Sequence, residues 1–139
     1  MTGRALFVDT SVLAYAVGGA HPQRDPCRAV LEAAVAGSVQ LHASCELVQE
    51  FLFHRLRRTD RPTAVQQARD VAALCILHPL DGEIVFRMID LVASSPLGGR
   101  DAVHAATALA HGFEAIVTPD QDFDEAPGLR RVSPSDVLP

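Results

Sequence analysis

The sequence predicts an α/β/α sandwich around a central, mainly parallel sheet of four to five strands. Short apolar runs alternate along the chain with longer segments whose apolar residues recur at helical spacing. Gly, Pro, Ser and Asp lie between these segments, as is typical of turns and helix ends. The first run, residues 5–8, is apolar throughout, which favours a strand covered on both faces. Strands that alternate with helices form parallel sheets covered by helices on both sides.

The first strand ends at Asp9, and Thr10 and Ser11 are expected to cap a short helix that runs to residue 16 and ends at Gly18. Helical periodicity, capping residues and short apolar runs predict the remaining elements. In order, these are a helix over 25–36 stopped by Gly37, a strand over 39–43, a helix from the N-cap Ser44 to 56, a helix over 62–75 opened by Pro62, a strand over 76–78, a helix capped by Asp81 and running to 93, a loop over 94–99, a helix over 100–111 ended by Gly112, a strand over 115–118, a turn or short helix opened by Asp120, and a short strand at 131–132.

The composition indicates one soluble globular domain, residues 1–139, with 48% hydrophobic and 21% charged residues. No apolar run approaches the roughly 18 residues of a membrane span, and Asp9 interrupts what would be the apolar region of a secretory signal. Cys27, Cys45 and Cys75 are widely spaced and form no CxxC pair, which argues against a disulfide framework or a zinc–thiolate site. We therefore expect a cytoplasmic protein.

The chain contains no lysine, and all 12 basic residues are arginine. This excludes P-loop nucleotide hydrolysis and Schiff-base chemistry, both of which need a lysine. The net charge of −5 argues against a protein that coats nucleic acid through a positive surface. It does not exclude a nuclease whose carboxylates bind cations.

Acidic residues follow the predicted strands where ligands bind in parallel sheets. Asp9 ends the first strand, Asp120 and Asp122 follow the strand over 115–118, and Asp101 opens a helix. Carboxylates that converge repel one another unless a cation joins them. Because all the donors are oxygens, Mg²⁺ or Mn²⁺ is the expected ion.

A further acid is expected from the helix that begins after Ser44. Glu46, Glu50 and His54 share one face of it, at positions i, i+4 and i+8. Spacing alone leaves Glu46 and Glu50 as equal candidates.

Four stretches of the chain resemble the PIN-domain ribonucleases, and within them the VapC-type toxins of bacterial toxin–antitoxin pairs. The stretches stand in that family's order and at its spacing: FVDTSVL at 7–13, VQEFL at 48–52, RDAVHAA at 100–106 and VTPDQDF at 117–123. The resemblance implies a PIN-like sandwich and endonucleolytic cleavage of structured RNA (tRNA, rRNA or mRNA) with Mg²⁺ or Mn²⁺. It also implies products with 5′-phosphate and 3′-hydroxyl ends.

Carried over residue by residue, the resemblance implies a catalytic metal site of four acids, Asp9, Glu50, Asp101 and Asp120. It selects Glu50 over Glu46 and adds Asp122 as a fifth metal ligand. Supporting roles, in holding the acids or water at the metal, fall to Thr10, Ser11 and Thr118. Arg100, next to Asp101, is expected to reach RNA or shape the site.

The resemblance further implies a cognate VapB-type antitoxin and a homodimer. The alternative function is a catalytically silent PIN-like scaffold that binds RNA or a partner. A phosphatase of the haloacid-dehalogenase type also has an aspartate after its first strand, but it needs a second aspartate where this chain has Ser11. It usually needs a lysine as well.

Other residues have a structural and a functional interpretation. His104 is expected to be a hydrogen-bonded packing residue rather than a general base. The cluster Arg55, Arg57, Arg58 and Arg61 is either a phosphate-guiding patch or the solvated end of a helix. The aromatic and sulfur-containing residues Phe51, Phe53, Phe86 and Met88 are expected to lie mostly in the core, and the alternative for some of them is a dimer or antitoxin surface.

Overall fold

The structure, a computed structural model, describes residues 3–138, so the first two residues and the last of the predicted domain 1–139 lie outside it. Five strands and six α-helices are found in the described range. They follow one another as β1 (Arg4–Phe7), α1 (Thr10–Val17), α2 (Arg24–Val35), β2 (Val39–Ser44), α3 (Cys45–Leu56), α4 (Arg61–Leu74), β3 (Ile76–His78), α5 (Gly82–Ser94), α6 (Gly99–Ala110), β4 (Ala115–Val117) and β5 (Arg130–Val132). A 3₁₀ turn, Gln121–Glu125, follows β4.

The strands form a parallel sheet in the order β3-β2-β1-β4-β5. The ladders β3-β2-β1 and β4-β5 are joined by a parallel bridge between Val8 and Val117. The backbone N–H of Asp9 donates to the carbonyl of Val117 at 3.2 Å across the same junction. Five parallel strands confirm the predicted fold class, and the junction brings the ends of β1 and β4 together.

Helices cover both faces of the sheet. On one face, Leu41 of β2 packs with Val12, Leu47 and other buried residues from α1 to α4. On the other face, Phe7 and Ile116 pack with α5 and α6. The small residues of α6, alanine at 102, 105, 106 and 108, are fully buried and allow this helix to lie close to the sheet. The first turn of α6 thereby reaches the carboxyl ends of β1 and β4.

The expected cap of α1 is wrong, whereas the expected N-cap residue of α3 is confirmed. Asp9, not Thr10 or Ser11, is the N-cap residue of α1. Ser44 does stand at the N-cap of α3, but its hydroxyl makes no capping hydrogen bond. In both cases the side-chain oxygens serve long-range contacts instead.

Of the residues expected mostly in the core, Phe51 is fully buried, whereas Phe53 and Phe86 are 56% and 71% exposed and belong to the surface. Helical periodicity identifies an apolar face, but it does not show how much of a wide face the neighbouring elements cover. Among the helices described, none is long and apolar enough to cross a membrane.

Candidate active site

A cleft of about 1200 Å³ opens at the carboxyl ends of the central strands. Asp9 enters it from the end of β1, Asp120 from the loop after β4, and Asp101 from the first turn of α6. Glu50 of α3 lines the same cleft. The acids predicted from strand ends and from the α3 face therefore share one cavity, although they come from four separate parts of the chain.

Three of the acids converge closely. Asp101, Asp120 and Asp122 each offer a carboxylate oxygen, and these oxygens all lie within 4.8 Å of one another. The 3₁₀ turn fixes two of them, because the backbone N–H of Asp122 donates to Oδ1 of Asp120 at 2.9 Å. Desolvation, together with the charges of Asp9, Asp120 and Asp122, raises the pKa of Asp101 from 3.8 to about 6.

Asp9 is nearly buried, with 5% of its surface exposed, and is held rigidly. Its Oδ2 accepts hydrogen bonds from Ser11 Oγ at 2.7 Å and from Thr118 Oγ1 at 3.1 Å. The Thr118 hydroxyl oxygen also accepts a bond from the backbone N–H of Asp120 at 3.0 Å. Ser11 and Thr118 thus connect β1, α1 and β4 around the acid, which is the arrangement their expected supporting role requires.

Asp9 and Glu50 do not belong to the close group of three, but meet at His104. This histidine is fully buried, and its Nε2 lies 2.8 Å from Glu50 Oε1 and 3.9 Å from Asp9 Oδ1. Because a carboxylate oxygen can accept but not donate, Nε2 carries the proton. Nε2 also lies 3.3 Å from Thr10 Oγ1.

Burial alone would lower the pKa of His104, but the hydrogen bond to Glu50 and the charges of Asp9, Glu50 and Asp101 outweigh it and raise that pKa. The protonated form is thereby favoured at the centre of the acidic site. His104 is the hydrogen-bonded packing residue expected from the sequence, but its ion-pair distances to two candidate ligands were not foreseen. Ser44 was missed as a site residue; its Oγ lies 2.7 Å from His104 Nδ1.

The group of three aspartates fits a hard divalent cation. Its donors are carboxylate oxygens, and in residues 3–138 no arginine or histidine nitrogen approaches Asp101, Asp120 or Asp122 within the 4.0 Å of an ion pair. Burial, together with repulsion from the neighbouring carboxylates, raises the pKa of Asp101, because no cation compensates the negative charge. Oxygen ligands and uncompensated negative charge are what Mg²⁺ or Mn²⁺ requires.

One wall of the cleft combines an exposed aromatic ring with cations. The guanidinium carbon of Arg57 lies 5.4 Å from the centroid of the Phe53 ring, and Arg58 lines the cleft beside them. Arg100 lines it near Asp101. Arg55 is not part of a surface patch, because it is 7% exposed and its Nε donates to Gln67 Oε1 at 2.9 Å.

Comparison with known proteins supports the fold. A family model described as PIN domain matches residues 6–129. Ribonuclease VapC7 of Mycobacterium tuberculosis is 34% identical over 132 residues, which span 93% of this chain and 91% of VapC7.

Two solved structures share the fold. VapBC2 of Rickettsia felis, bound to a DNA fragment from its promoter, matches with a TM-score of 0.73 and 16% identity, over 93% of this chain and 98% of that chain. VapC20 of Mycobacterium tuberculosis, described as a toxin that cleaves the sarcin–ricin loop, matches with a TM-score of 0.71 and 15% identity, over 86% and 92%.

Proposed function

The chain belongs to the PIN-domain family and to its VapC group, and from that premise we propose that it is a divalent-metal-dependent endoribonuclease, the toxin of a toxin–antitoxin pair. The observation that carries this proposal is the convergence of Asp101, Asp120 and Asp122 beside the pair formed by Asp9 and Glu50. A catalytically silent scaffold would not need this convergence of acids at the end of the sheet. We further propose that residues 1–139 form one PIN domain.

In the proposed mechanism, Asp101, Asp120 and Asp122 hold Mg²⁺ or Mn²⁺, with Asp9 and Glu50 beside them. A divalent ion bound there lowers the pKa of water and neutralises negative charge on the phosphate. Ser11 and Thr118 fix the carboxylate of Asp9, while His104 fixes that of Glu50. These contacts keep the acids in place when RNA binds, so that little reorganisation accompanies the reaction.

The reaction that we propose is hydrolysis of a phosphodiester. A water oxygen forms a bond to phosphorus, the bond from phosphorus to the 3′ oxygen breaks, and that oxygen takes up a proton. The products then carry a 5′-phosphate and a 3′-hydroxyl. The substrate is proposed to be an unpaired loop in a structured tRNA, rRNA or mRNA, because paired A-form RNA hides its major-groove base edges in a deep, narrow groove that side chains cannot read.

The proposed partners are a VapB-type antitoxin and a second copy of the chain, in the cytoplasm. Exposed apolar residues of α5 support a protein contact, since Phe86, Ile89 and Val92 are 71%, 52% and 43% exposed. The antitoxin is proposed to cover the acidic cleft, where it would prevent RNA from entering.

Purified protein incubated with total cellular RNA tests the enzyme proposal. We expect cuts at a few positions with Mg²⁺ or Mn²⁺ and none with EDTA, and sequencing of the ends identifies the substrate and the end chemistry. If the folded protein makes no metal-dependent cuts in total RNA from several bacteria, the result would favour the catalytically silent scaffold.

Mn²⁺ is expected to raise the thermal unfolding temperature of the metal-free protein, because binding to the folded state alone stabilises it by about 2.7 kcal/mol at one hundred times the dissociation constant. Asp9→Asn is expected to reduce this gain, since it removes a charge adjacent to the group of three aspartates. Differential scanning calorimetry with and without Mn²⁺ measures both. An equal gain in the variant would remove Asp9 from the metal site.

Arg57→Ala is expected to raise KM for RNA roughly fivefold to tenfold, because one contact to a phosphate contributes about 1 kcal/mol to binding. Little change in kcat is expected, since Arg57 supplies no atom to the reaction. The dependence of log KM on log salt should also flatten by roughly 0.7 for one single-strand phosphate. Arg61→Ala is the matched control, since Arg61 is exposed but does not line the cleft. Equal effects of both variants on KM would mean that RNA binding depends on the net charge of the protein rather than on the residues of this wall.

A further inference from the structure

A second group of metal-ligating side chains lies away from the acidic cleft. His42 of β2, His78 of β3 and His111, which follows the last turn of α6, lie side by side. The Nδ1 atom of His42 is 2.9 Å from Nε2 of His78, and the ring centroids of His78 and His111 are 4.0 Å apart. None of the three is among the residues that line the acidic cleft in the described chain.

The contacts of His42 orient it as a ligand would be oriented. Its Nε2 lies 3.2 Å from Oε1 of Gln40, and because an amide oxygen only accepts, Nε2 carries the proton. The lone pair of Nδ1 therefore points toward His78. Metal-bound histidines typically donate their other ring N–H to a carbonyl or carboxylate oxygen in this way.

The surroundings hold the rings in place and leave one side open to solvent. In the structure Nε2 of His78 donates to the lone pair of His42 Nδ1, so a bound metal ion would take the place of this shared hydrogen. Phe7 and Phe113 pack against the rings and limit their movement. His111 is exposed, which leaves an open side for a cation and for water.

We propose that His42, His78 and His111 bind one divalent transition-metal ion, best matched by Zn²⁺, with water as the fourth ligand. Two nitrogens at about 2.0–2.1 Å from a tetrahedral zinc lie roughly 3.3 Å apart. The observed 2.9 Å between His42 and His78 must widen by a few tenths of an ångström, and the two nearly parallel rings must rotate so that both nitrogens face the ion. The ligand atoms of the three histidines do not all lie within 4.8 Å of one another in the described chain, so the proposal requires the exposed ring of His111 to turn toward the pair when the ion binds.

The two sites are expected to select different ions. Three imidazoles favour Zn²⁺ over Mg²⁺, whereas the carboxylate oxygens of the cleft favour Mg²⁺ or Mn²⁺. A zinc ion at the histidines would join β2, the edge strand β3 and the end of α6. This inference goes beyond the proposed nuclease function and does not depend on it.

Zinc binding in an Asp101→Asn background tests the proposal, because that substitution weakens the acidic site. Equilibrium dialysis against Zn²⁺ in excess Mg²⁺ is expected to give one Zn²⁺ per chain. Adding His78→Gln is expected to abolish this uptake. Adding His111→Ala is expected to weaken zinc affinity at least about tenfold, because the loss of a residue that only supports a metal ligand already costs that much. His111 is exposed, so His111→Ala is expected to fold normally and still tests the proposal if His78→Gln does not fold.

His21→Ala, which removes another exposed histidine, is the matched control and is expected to leave zinc uptake unchanged. With Co²⁺ in place of Zn²⁺, the visible spectrum of a tetrahedral site should appear in the Asp101→Asn protein and disappear with His111→Ala. Zinc uptake that is absent in the Asp101→Asn background, or unaffected by His78→Gln and His111→Ala, would overturn the proposal.

Discussion

Asp101→Asn is expected to lower the rate of metal-dependent RNA cleavage roughly a thousandfold, since stabilisation of transition-state charge by a metal contributes several kcal/mol. Asparagine has nearly the shape of aspartate, but it replaces a negative oxygen with a neutral amide. The affinity of the group formed with Asp120 and Asp122 for a divalent cation then falls. Single-turnover cleavage of the identified substrate with Mg²⁺ or Mn²⁺ measures the effect.

Asp90→Asn is the matched control, because it removes the same charge from an exposed position on α5. We expect its cleavage rate to equal that of the wild type. A wild-type rate from Asp101→Asn would mean either that Asp101 has no role in the reaction or that a contaminating nuclease produces the cuts. Equal losses in both variants would indicate an effect of net charge.

The same substitution is expected to act in the opposite direction on metal-free stability. The pKa of Asp101 is raised from 3.8 to about 6 in the folded protein, so its charge destabilises the fold above pH 6. Asp101→Asn should therefore unfold at a higher temperature than the wild type at pH 7 to 8. The difference should shrink between pH 6 and 4, as the folded wild type takes up a proton. A variant less stable than the wild type at pH 8 would contradict this.

The fold was predictable from the sequence because its signals are local. The apolar run before Asp9 and the glycine after α6 predict a strand and a helix end without knowledge of the rest of the chain. Gly112 has a φ of +80°, the left-handed conformation that glycine adopts readily after a helix. Parallel order follows from the alternation of strands and helices, and it also brings the acids to one edge of the sheet.

The arrangement within the site was not predictable, because it depends on contacts between residues distant in sequence. His104 lies 54 positions from Glu50 and 60 from Ser44, yet bonds to both. Ser44 has the position of a helix cap, and no local signal indicates that its hydroxyl turns to a histidine instead. Periodicity likewise failed for Arg55, because the α3 surface that it occupies is covered by α4.

His104→Ala is expected to lower the free energy of unfolding by about 2–3 kcal/mol, because removing this buried ring leaves the partly buried carboxylate of Glu50 without its hydrogen-bond donor. Glu50 would lose the hydrogen bond from Nε2 at 2.8 Å, and Asp9 would lose its neighbour at 3.9 Å. The unfolding temperature should fall by roughly 10 °C in a domain of this size. Cleavage should also slow about tenfold to a hundredfold, since His104 positions Glu50 and does not itself contact the substrate. Calorimetry and single-turnover kinetics measure the two effects.

Loss of packing alone would also destabilise His104→Ala, and a double variant separates the two causes. Glu50→Gln removes the carboxylate that His104 contacts at 2.8 Å. If the cost arises from uncompensated charge, His104→Ala combined with Glu50→Gln should be more stable than His104→Ala alone, because the second substitution removes the stranded charge. If the cost arises from the cavity, adding Glu50→Gln should restore nothing. A stable but inactive double variant would then mean that His104 serves the fold by compensating Glu50, while the reaction needs the carboxylate itself.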